Sequence, residues 1–289
     1  MLADAEPWSP NDGVERWSGS RFADVRYAAE TGSTNADLLE AARGGTTGPL
    51  VLVTGHQKAG RGRQDRTWFD EPGDSLLVSV LVTAERAWAD LVPLAAGLAA
   101  ERAVNGYVIS SAADTGRVPP HDTAALKWPN DVLVPALDER KLAGILVEST
   151  NGASPGTLAV VIGMGLNLRW SSEPPAEVRL RATTLTAAAR AVAGITLPDD
   201  VRSHLLGEYL IALDAALETL AGPDGRAHTV ARYRRRCLTV GRSLELTTSS
   251  EAITGRAVGI GDGGELRVEL ADGTVRSVTA GDAHHRPPG

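Results

Sequence analysis

Two apolar runs rich in β-branched residues, at positions 50–54 and 75–83, stand on either side of a segment dense in glycine and arginine. Apolar runs bounded by glycine and charged residues predict β-strands. Between them, residues 55–68 read Gly-His-Gln-Lys-Ala-Gly-Arg-Gly-Arg-Gln-Asp-Arg-Thr-Trp. Glycine lets a backbone approach a ligand closely, and the cations supply fixed positive charge. The pattern therefore predicts a loop that is anchored between two strands and binds an anion.

A second segment, Lys-Trp-Pro-Asn-Asp at residues 127–131, ends a predicted strand, because Pro129 cannot donate to a β-ladder. Two interpretations of its polar residues are open. Asn130 and Asp131 bond the local backbone in an ordinary turn, or they act with Lys127 on a phosphate-bearing ligand.

A third segment, Lys-Leu-Ala-Gly-Ile-Leu-Val-Glu at residues 141–148, has the pattern of a buried strand. Glycine inside a strand, here Gly144, often marks the close approach of a ligand or another backbone. Three of the 29 basic residues are lysines, and each lies in one of the three segments: Lys58, Lys127 and Lys141. Because an ammonium is a compact, mobile charge and a guanidinium is a planar fork, this distribution favours a function for the lysines.

Composition excludes several classes of protein. The net charge of −7 argues against a chain that wraps nucleic acid non-specifically. A single cysteine, Cys237, cannot form an intramolecular disulfide, and no Cys/His spacing resembles a zinc site. No apolar run reaches the roughly 20 residues that span a bilayer, and residues 1–11 lack the pattern of a signal peptide. These features predict a soluble, cytoplasmic protein without a membrane partner.

The chain is long enough for about two domains. We expect a loose leader at residues 1–25, a catalytic domain at 26–236 and a small β-barrel at 237–289, where short strands alternate with glycine-rich turns. Strands are predicted at 50–54, 75–83, 125–128, 132–134, 143–149, 158–164, 244–247, 253–260, 266–270 and 275–278. Helices are predicted at 36–43, 88–105, 199–220 and 226–236, a turn at 163–167, an irregular loop at 111–124 and a tail at His284 and His285.

Two groups of polar residues allow two interpretations each. Ser33, Thr34 and Asn35 precede the first predicted helix, so at least one of them is expected to cap it, and all three can also line a pocket for a polar ring. Asn167, at the predicted turn, is either a turn residue or a donor to a ligand.

In order and spacing, the three segments resemble those of the biotin protein ligases, and the resemblance covers roughly residues 28 to 282. It implies an α+β fold: a catalytic domain with a central mixed sheet, related to class II aminoacyl-tRNA synthetases and lipoate ligases, followed by an SH3-like small β-barrel. It further implies ATP-dependent formation of biotinyl-5′-AMP with Mg²⁺. Biotin would then pass to a lysine of a biotin carboxyl carrier protein or domain, in an acyl-CoA or pyruvate carboxylase.

The resemblance also implies roles for individual residues. Contacts with biotin are implied for Ser33, Thr34, Asn35, Gln57, Gly60, Arg61, Gly62, Arg63, Lys141 and Gly144. Contacts with ATP are implied for Arg63, Arg66, Trp68, Lys127, Asn130, Asp131 and Asn167. Catalysis would fall to Arg63, Asp131 and Lys141, and no metal ligand is assigned.

Two alternative functions belong to other classes. A lipoate or octanoate ligase shares the fold but needs an elongated apolar slot, whereas residues 33–35 and Gln57 favour a polar head group. A noncatalytic biotin-sensing regulator, or an RNA-binding module, would need a basic surface that the net charge does not offer. Many family members begin with a helix-turn-helix repressor domain. The predicted leader is too short for one, so no specific DNA binding is expected.

Overall fold

The computed structural model describes residues 6–7, 20–64, 66–119 and 121–286. Two sheets and six α-helices make up this part of the chain. The first sheet contains β1 (Glu6–Pro7), β2 (Val25–Ala28), β3 (Leu50–Thr54), β4 (Ser75–Glu85), β5 (Ala125–Lys127), β6 (Asp131–Val134), β7 (Arg140–Asn151) and β8 (Thr157–Asn167). The second contains β9 (Ser243–Thr247), β10 (Ala252–Ile260), β11 (Leu266–Glu269), β12 (Val275–Val278) and β13 (Asp282–His285). The helices are α1 (Thr34–Arg43), α2 (Val92–Ala113), α3 (Ala176–Arg181), α4 (Leu185–Ala193), α5 (Val201–Ala221) and α6 (Gly225–Arg236).

The first sheet has the strand order β1-β2-β3-β4-β8-β7-β6-β5. Strands β2 and β3 are parallel, with α1 in the connection between them, and the other neighbouring pairs are antiparallel. The predicted mixed sheet and α+β class are thus confirmed.

Central strands of this sheet are apolar on both faces because helices cover both. Leu38 and Leu39 of α1 pack against one face, on Leu52, Leu81 and Val161. The opposite face packs against α2 and α5, which form the larger core with it. Since α1 is only ten residues long, it covers part of its face and leaves the rest for a cavity.

The pairing register brings the sequence segments together. One row crosses five strands through directly paired residues, from β4 to β5: Leu77, Gly165, Gly144, Asp131 and Lys127. Side chains of directly paired residues point to the same face of a sheet. Residues far apart in sequence therefore line one strip of the α1 face.

Two predictions for this domain are wrong. The predicted turn at 163–167 is strand, since β8 continues to Asn167 and pairs with both β4 and β7. Ser33 is the N-cap residue of α1, yet its side chain makes no capping hydrogen bond. The N–H of Thr34 instead donates to Oε1 of Gln57 at 2.9 Å, so a residue from the glycine/arginine segment caps this helix. The helix predicted at 88–105 is observed as Val92–Ala113, so it begins and ends later than predicted and shortens the predicted loop.

The C-terminal sheet is antiparallel, in the order β12-β11-β10-β9-β13. Its four predicted strands are confirmed. The predicted tail at His284 and His285 is wrong, because both residues belong to β13 and pair with β9. Within residues 243–286, β12 and β13 are not paired with each other, so the sheet does not close into a barrel.

The two sheets share one hydrophobic core. The indole Nε1 of Trp128 donates to the carbonyl of Gly264 at 3.0 Å, and the N–H of Leu238 donates to Leu126 at 2.8 Å. Residues 1–5 and 8–19 of the predicted leader lie outside the described residues, while Phe22 is fully buried in the core. In the described ranges, no helix combines the length and apolar character that a membrane crossing requires.

Candidate active site

One cavity on the α1 face brings the three segments together. Thirteen of the predicted site residues line it: Ser33, Thr34, Asn35, Gln57, Arg61, Gly62, Arg63, Arg66, Trp68, Asn130, Asp131, Lys141 and Gly144. The loop, the strand end and the glycine-containing strand, each predicted separately to approach a ligand, therefore form one site.

Three predicted residues do not line this cavity. Gly60 lies behind the loop, where its carbonyl accepts the N–H of Trp68 at 2.9 Å. Lys127 ends β5 beside Asp131 in the row across the sheet. Asn167 is buried, and its amide Nδ2 donates to the carbonyl of Thr183 at 3.0 Å. The structure does not bring Asn167 to the cavity as its predicted contact with ATP requires, because this internal bond holds its amide.

The inner end of the cavity is a pocket lined by uncharged hydrogen-bonding side chains, and the carboxylate of Glu148 lies 2.9 Å from Nδ2 of Asn35. The hydroxyl of Ser79 donates to Oδ1 of Asn35 at 2.6 Å, and Nδ2 of Asn35 donates to the carbonyl of Leu146 at 3.1 Å. The hydroxyls of Thr34 and Ser79 lie 2.6 Å apart. Because Ser79, Gly163 and Leu146 are directly paired across β4, β8 and β7, the Asn35 carboxamide lies over the middle of the sheet.

Gln57 connects this pocket to the loop. Its Oε1 accepts from both the N–H and the hydroxyl of Thr34, at 2.9 and 3.2 Å. The backbone N–H of Gln57 donates to Oδ2 of Asp70 at 3.3 Å, and Nδ1 of His56 lies 3.1 Å from the same oxygen. Burial raises the pKa of Asp70 despite these hydrogen bonds. Asp70 thus holds residues 56 and 57 through one carboxylate oxygen.

The loop that follows folds back on itself. The N–H of Gly62 donates to the carbonyl of Arg66 at 2.6 Å, and Arg61 forms an antiparallel bridge with Thr67. Gln64 adopts a left-handed conformation, with φ of 54°, where the chain reverses. This closed turn projects the side chains of Arg61, Arg63 and Arg66 from one short stretch of backbone.

Trp68 leaves this turn and lies on the strand glycines. A Cβ on Gly165 would stand 2.6 Å from an indole carbon, and one on Gly144 would stand 3.2 Å from another. The ammonium of Lys141 lies 5.5 Å from the ring centroid, within the range of a cation–π interaction. Small residues are therefore required at positions 144 and 165, and Gly144 makes the close approach that its sequence position predicted.

Most cations of the cavity are paired with carboxylates of the chain. Arg61 donates to Glu148 at 3.0 Å, Lys141 pairs with Asp131 at 2.7 Å, and Arg66 pairs with Asp282. In each pair the cation is partly exposed, and all three cations line the cavity.

Arg63 is the exception. Its guanidinium donates to neutral oxygens, Oδ1 of Asn130 at 3.2 Å and the carbonyl of Gly281 at 3.4 Å. No carboxylate of the described residues lies within ion-pair distance of it. Burial lowers the pKa of Arg63, opposed by the charges of Asp131 and Asp282. A half-buried cation with neutral partners is well placed to bind an anionic ligand.

The C-terminal sheet supplies part of the cavity wall, which the sequence did not predict. Gly281 and Asp282 line the cavity where β13 begins. Burial raises the pKa of Asp282, but the hydrogen bond and charge of Arg66, with His284 and Lys127, bring it below its ordinary value. Asp282 is therefore a carboxylate at neutral pH, and it holds the end of the loop.

Sequence reasoning also missed Ser79, Glu148, Gly163 and Gly165. A serine in an otherwise apolar strand and two glycines spaced by one residue were usable signals for three of them. Glu148 lay in a recognised segment, but nothing in the sequence indicated its contacts with Asn35 and Arg61.

Comparison with known proteins agrees with this geometry. Residues 29–167 match the model of the Biotin/lipoate A/B protein ligase family, and residues 239–286 match that of the Biotin protein ligase C terminal domain. The chain is 37% identical over 274 residues to the biotin–[acetyl-CoA-carboxylase] ligase of Mycobacterium tuberculosis, covering 93% of this chain and 91% of that one. The chain belongs to the biotin protein ligase family.

Two further proteins are similar to this ligase. The bifunctional ligase/repressor BirA of Escherichia coli is 32% identical over 250 residues, which cover 86% of this ligase and 70% of that chain. The crystallised biotin protein ligase from Aquifex aeolicus in complex with biotin and ATP aligns with a TM-score of 0.70 at 25% identity, over 92% of this ligase and all of that chain. These matches extend over both sheets of the ligase.

Proposed function

We propose that the ligase forms biotinyl-5′-AMP from biotin and ATP in this cavity, and then transfers biotin to a lysine of a carrier protein. The observation that carries the proposal is the juxtaposition of a pocket lined by uncharged polar side chains with Arg63, a half-buried cation that has neutral partners. Biotin matches both features, because it has a neutral ureido ring at one end and a carboxylate at the other.

The inner pocket suits the ureido ring. A ureido group has two N–H donors and a carbonyl acceptor, and Asn35, Ser79 and Thr34 offer hydroxyl and amide groups that both donate and accept. A lipoyl or octanoyl chain offers no group that can hydrogen-bond with Asn35, Ser79 or Thr34, so it would cover these polar groups without gaining any contact from them. The pocket therefore favours biotin over the acyl chains of the alternative ligases.

The cations suit the adenylyl-transfer chemistry of the first step. The biotin carboxylate attacks the α-phosphorus of ATP, an oxygen–phosphorus bond forms, and pyrophosphate leaves with the electrons of the broken bond. Negative charge grows on the non-bridging oxygens in the transition state. Arg63 and Lys141 face the cavity where this charge would develop. In the second step, a deprotonated lysine amine attacks the anhydride carbonyl and AMP leaves.

The nucleotide would lie toward Asn130, Asp131 and Arg66, with Trp68 beside it and Lys127 behind. Mg²⁺ is usually held by one or two carboxylates together with substrate phosphates, and Asp131 offers a carboxylate there. In the part of the chain that the structure describes, no three His, Cys, Asp or Glu side chains form a metal-binding group. We propose that Mg²⁺ enters with ATP.

Several broader features belong to the same proposal. The acceptor would be a biotin carboxyl carrier protein or domain of an acyl-CoA or pyruvate carboxylase. The catalytic domain would end near Arg236, followed by an SH3-like unit, and its N-terminal side would include the buried Phe22. A cytoplasmic location fits the buried free thiol of Cys237. That the chain does not bind specific DNA stays a prediction.

Biotin-dependent exchange of labelled pyrophosphate into ATP tests the first step without an acceptor protein. We expect exchange with biotin and none with lipoate or octanoate. Exchange with lipoate alone would support the alternative ligase. A rise in melting temperature on addition of biotin, with no exchange, would indicate a noncatalytic regulator.

A further inference from the structure

His285 is a largely buried histidine side chain at the end of β13, on the strand that also supplies Asp282 to the cavity. Its side chain is 11% exposed, whereas that of its neighbour His284 is 54% exposed. Both imidazole nitrogens have partners. Nδ1 lies 2.9 Å from Oε2 of Glu139, and Nε2 lies 3.1 Å from the hydroxyl of Thr239.

Each of these partners leads to a different segment of the active site. The hydroxyl oxygen of Thr239, which is fully buried, accepts the backbone N–H of Trp128 at 3.0 Å. Trp128 lies in the segment that carries Lys127, Asn130 and Asp131. One imidazole is thus two hydrogen bonds away from this segment.

The second partner, Glu139, lies in the turn between β6 and β7, two residues before Lys141. Asp138 and Glu139 both have positive φ, so the turn has a conformation that few side chains adopt. Glu139 is also held by the guanidinium of Arg242. The imidazole of His285 therefore contacts partners of two segments, residues 127–131 and the turn before Lys141. These segments meet in the Lys141–Asp131 ion pair.

The hydrogen bonds define one protonation state. The Glu139 carboxylate can only accept, so Nδ1 carries the proton, and in the neutral imidazole Nε2 then has a lone pair that accepts from the Thr239 hydroxyl. Burial lowers the pKa of His285, with Lys127 and Arg242 also opposing protonation and Glu139 favouring it. Burial also raises the pKa of the Cys237 thiol near Thr239, so that neighbour is neutral.

We propose that His285 is a positioning residue for the nucleotide side of the site. As a neutral imidazole, it holds Trp128 through Thr239 and the β6–β7 turn through Glu139, so that Asp131 and Lys141 face the phosphates together. A protonated imidazole could no longer accept the Thr239 proton, so the hydroxyl would have to turn in order to receive the second N–H. The placement of ATP in this inference rests on the proposed function. The contacts of His285 are independent of that function.

Pyrophosphate exchange by His285→Leu and His285→Gln variants tests this role. Leucine removes both hydrogen bonds, and glutamine keeps one acceptor and one donor on a side chain of similar reach. We expect His285→Leu to raise the KM for ATP about tenfold and leave the KM for biotin within about twofold. We expect His285→Gln to recover most of the loss. In the wild type, the KM for ATP should rise as the pH falls through the lowered pKa of His285, and in His285→Gln it should not.

The matched control is His228→Leu, because His228 is an exposed histidine of α6. An unchanged KM for ATP in both His285 variants would overturn the proposal, and so would an equal rise in the two KM values. A wild type without any exchange would contradict the proposed function instead. Hydrogen exchange at the backbone amide of Trp128 tests the contact independently. One result would also overturn the proposal: exchange in His285→Gln is faster at acidic and neutral pH alike, while exchange in the wild type shows no pH-dependent increase.

Discussion

The carboxamide of Asn35 occupies the space that a side chain on Gly163 would need. An added Cβ at position 163 would overlap Oδ1 of Asn35. The same oxygen accepts from Ser79, and the amide nitrogen donates to Leu146 and Glu148. A glycine in the middle of a strand thus makes room for the side chain at the centre of the polar pocket.

Gly163→Ala should weaken biotin binding while leaving the fold intact. The backbone at this position is ordinary strand, but the new methyl group would push the Asn35 amide away from at least one partner. We expect the KM for biotin to rise about 10- to 100-fold, in line with one or two lost hydrogen bonds. Gly259→Ala is the control, because a Cβ there meets no atom within 4 Å. Equal KM values in the two variants would contradict the assignment of the pocket.

Lys141→Ala should abolish most adenylate formation without unfolding the protein. The ammonium pairs with Asp131 at the cavity and is partly exposed, so it contributes little to core packing. Loss of a group that opposes transition-state charge typically costs on the order of 10²- to 10³-fold in rate. Pyrophosphate exchange measures the loss, and thermal melting checks the fold. Arg276→Ala, which breaks an exposed ion pair with Glu251, is the control. Near-normal exchange in a folded Lys141→Ala protein would refute the role.

Arg63→Gly should release the activated intermediate. Among the described residues, the partners of the guanidinium are neutral, so it can hold the acyl phosphate with a charge-assisted, bidentate pair. Without it, biotinyl-5′-AMP should escape and label exposed lysines of bystander proteins severalfold more than the wild type does. The measurement is a blot for biotin after incubation with ATP, biotin and an unrelated lysine-rich protein. A variant that still turns over ATP but labels the bystander no more than the wild type would show that another residue retains the intermediate.

Asp70→Asn should stabilise the ligase at neutral pH. Burial raises the pKa of Asp70 in the folded state, so its ionisation costs stability as the pH rises above the unfolded value of 3.8. Its Oδ1 is also buried without a hydrogen-bond partner among the described residues. We expect a gain of about 1 kcal/mol at pH 7 and a smaller gain below pH 3.8, measured by denaturant unfolding. Asp199→Asn, at a fully exposed carboxylate, should show neither effect, and a pH-independent change in Asp70→Asn would contradict the explanation.

The strands and three site segments were predictable because their signals are local. Continuous apolar runs define β3 and β4, and glycines beside cations define the loop between them. The turn predicted at 163–167 failed because glycine is common both in turns and in strands that something approaches closely. Local sequence does not distinguish these cases. The pairing of β8 with β4 and β7 shows that Gly163 and Gly165 lie inside a strand. Their missing side chains leave room for Asn35 and Trp68.

The remaining site residues depend on contacts between distant parts of the chain. Asp282 is 216 positions from Arg66, and Gly281 is 218 from Arg63. Nothing near residue 282 indicates a site, and the two adjacent histidines resembled a tail. The same distance explains the capping of α1 by Gln57, because a side chain 23 residues away replaced the expected local cap.

The ion pairs of the cavity determine which charges are exchanged when an anionic substrate binds. Arg61, Arg66 and Lys141 each hold a carboxylate of the chain before any ligand arrives. A carboxylate or phosphate that enters therefore exchanges one anionic partner for another, and few small counterions need to leave the protein. Affinities that depend on counterion release fall steeply with ionic strength. The affinity of this ligase for its anionic substrates should vary only shallowly with salt concentration.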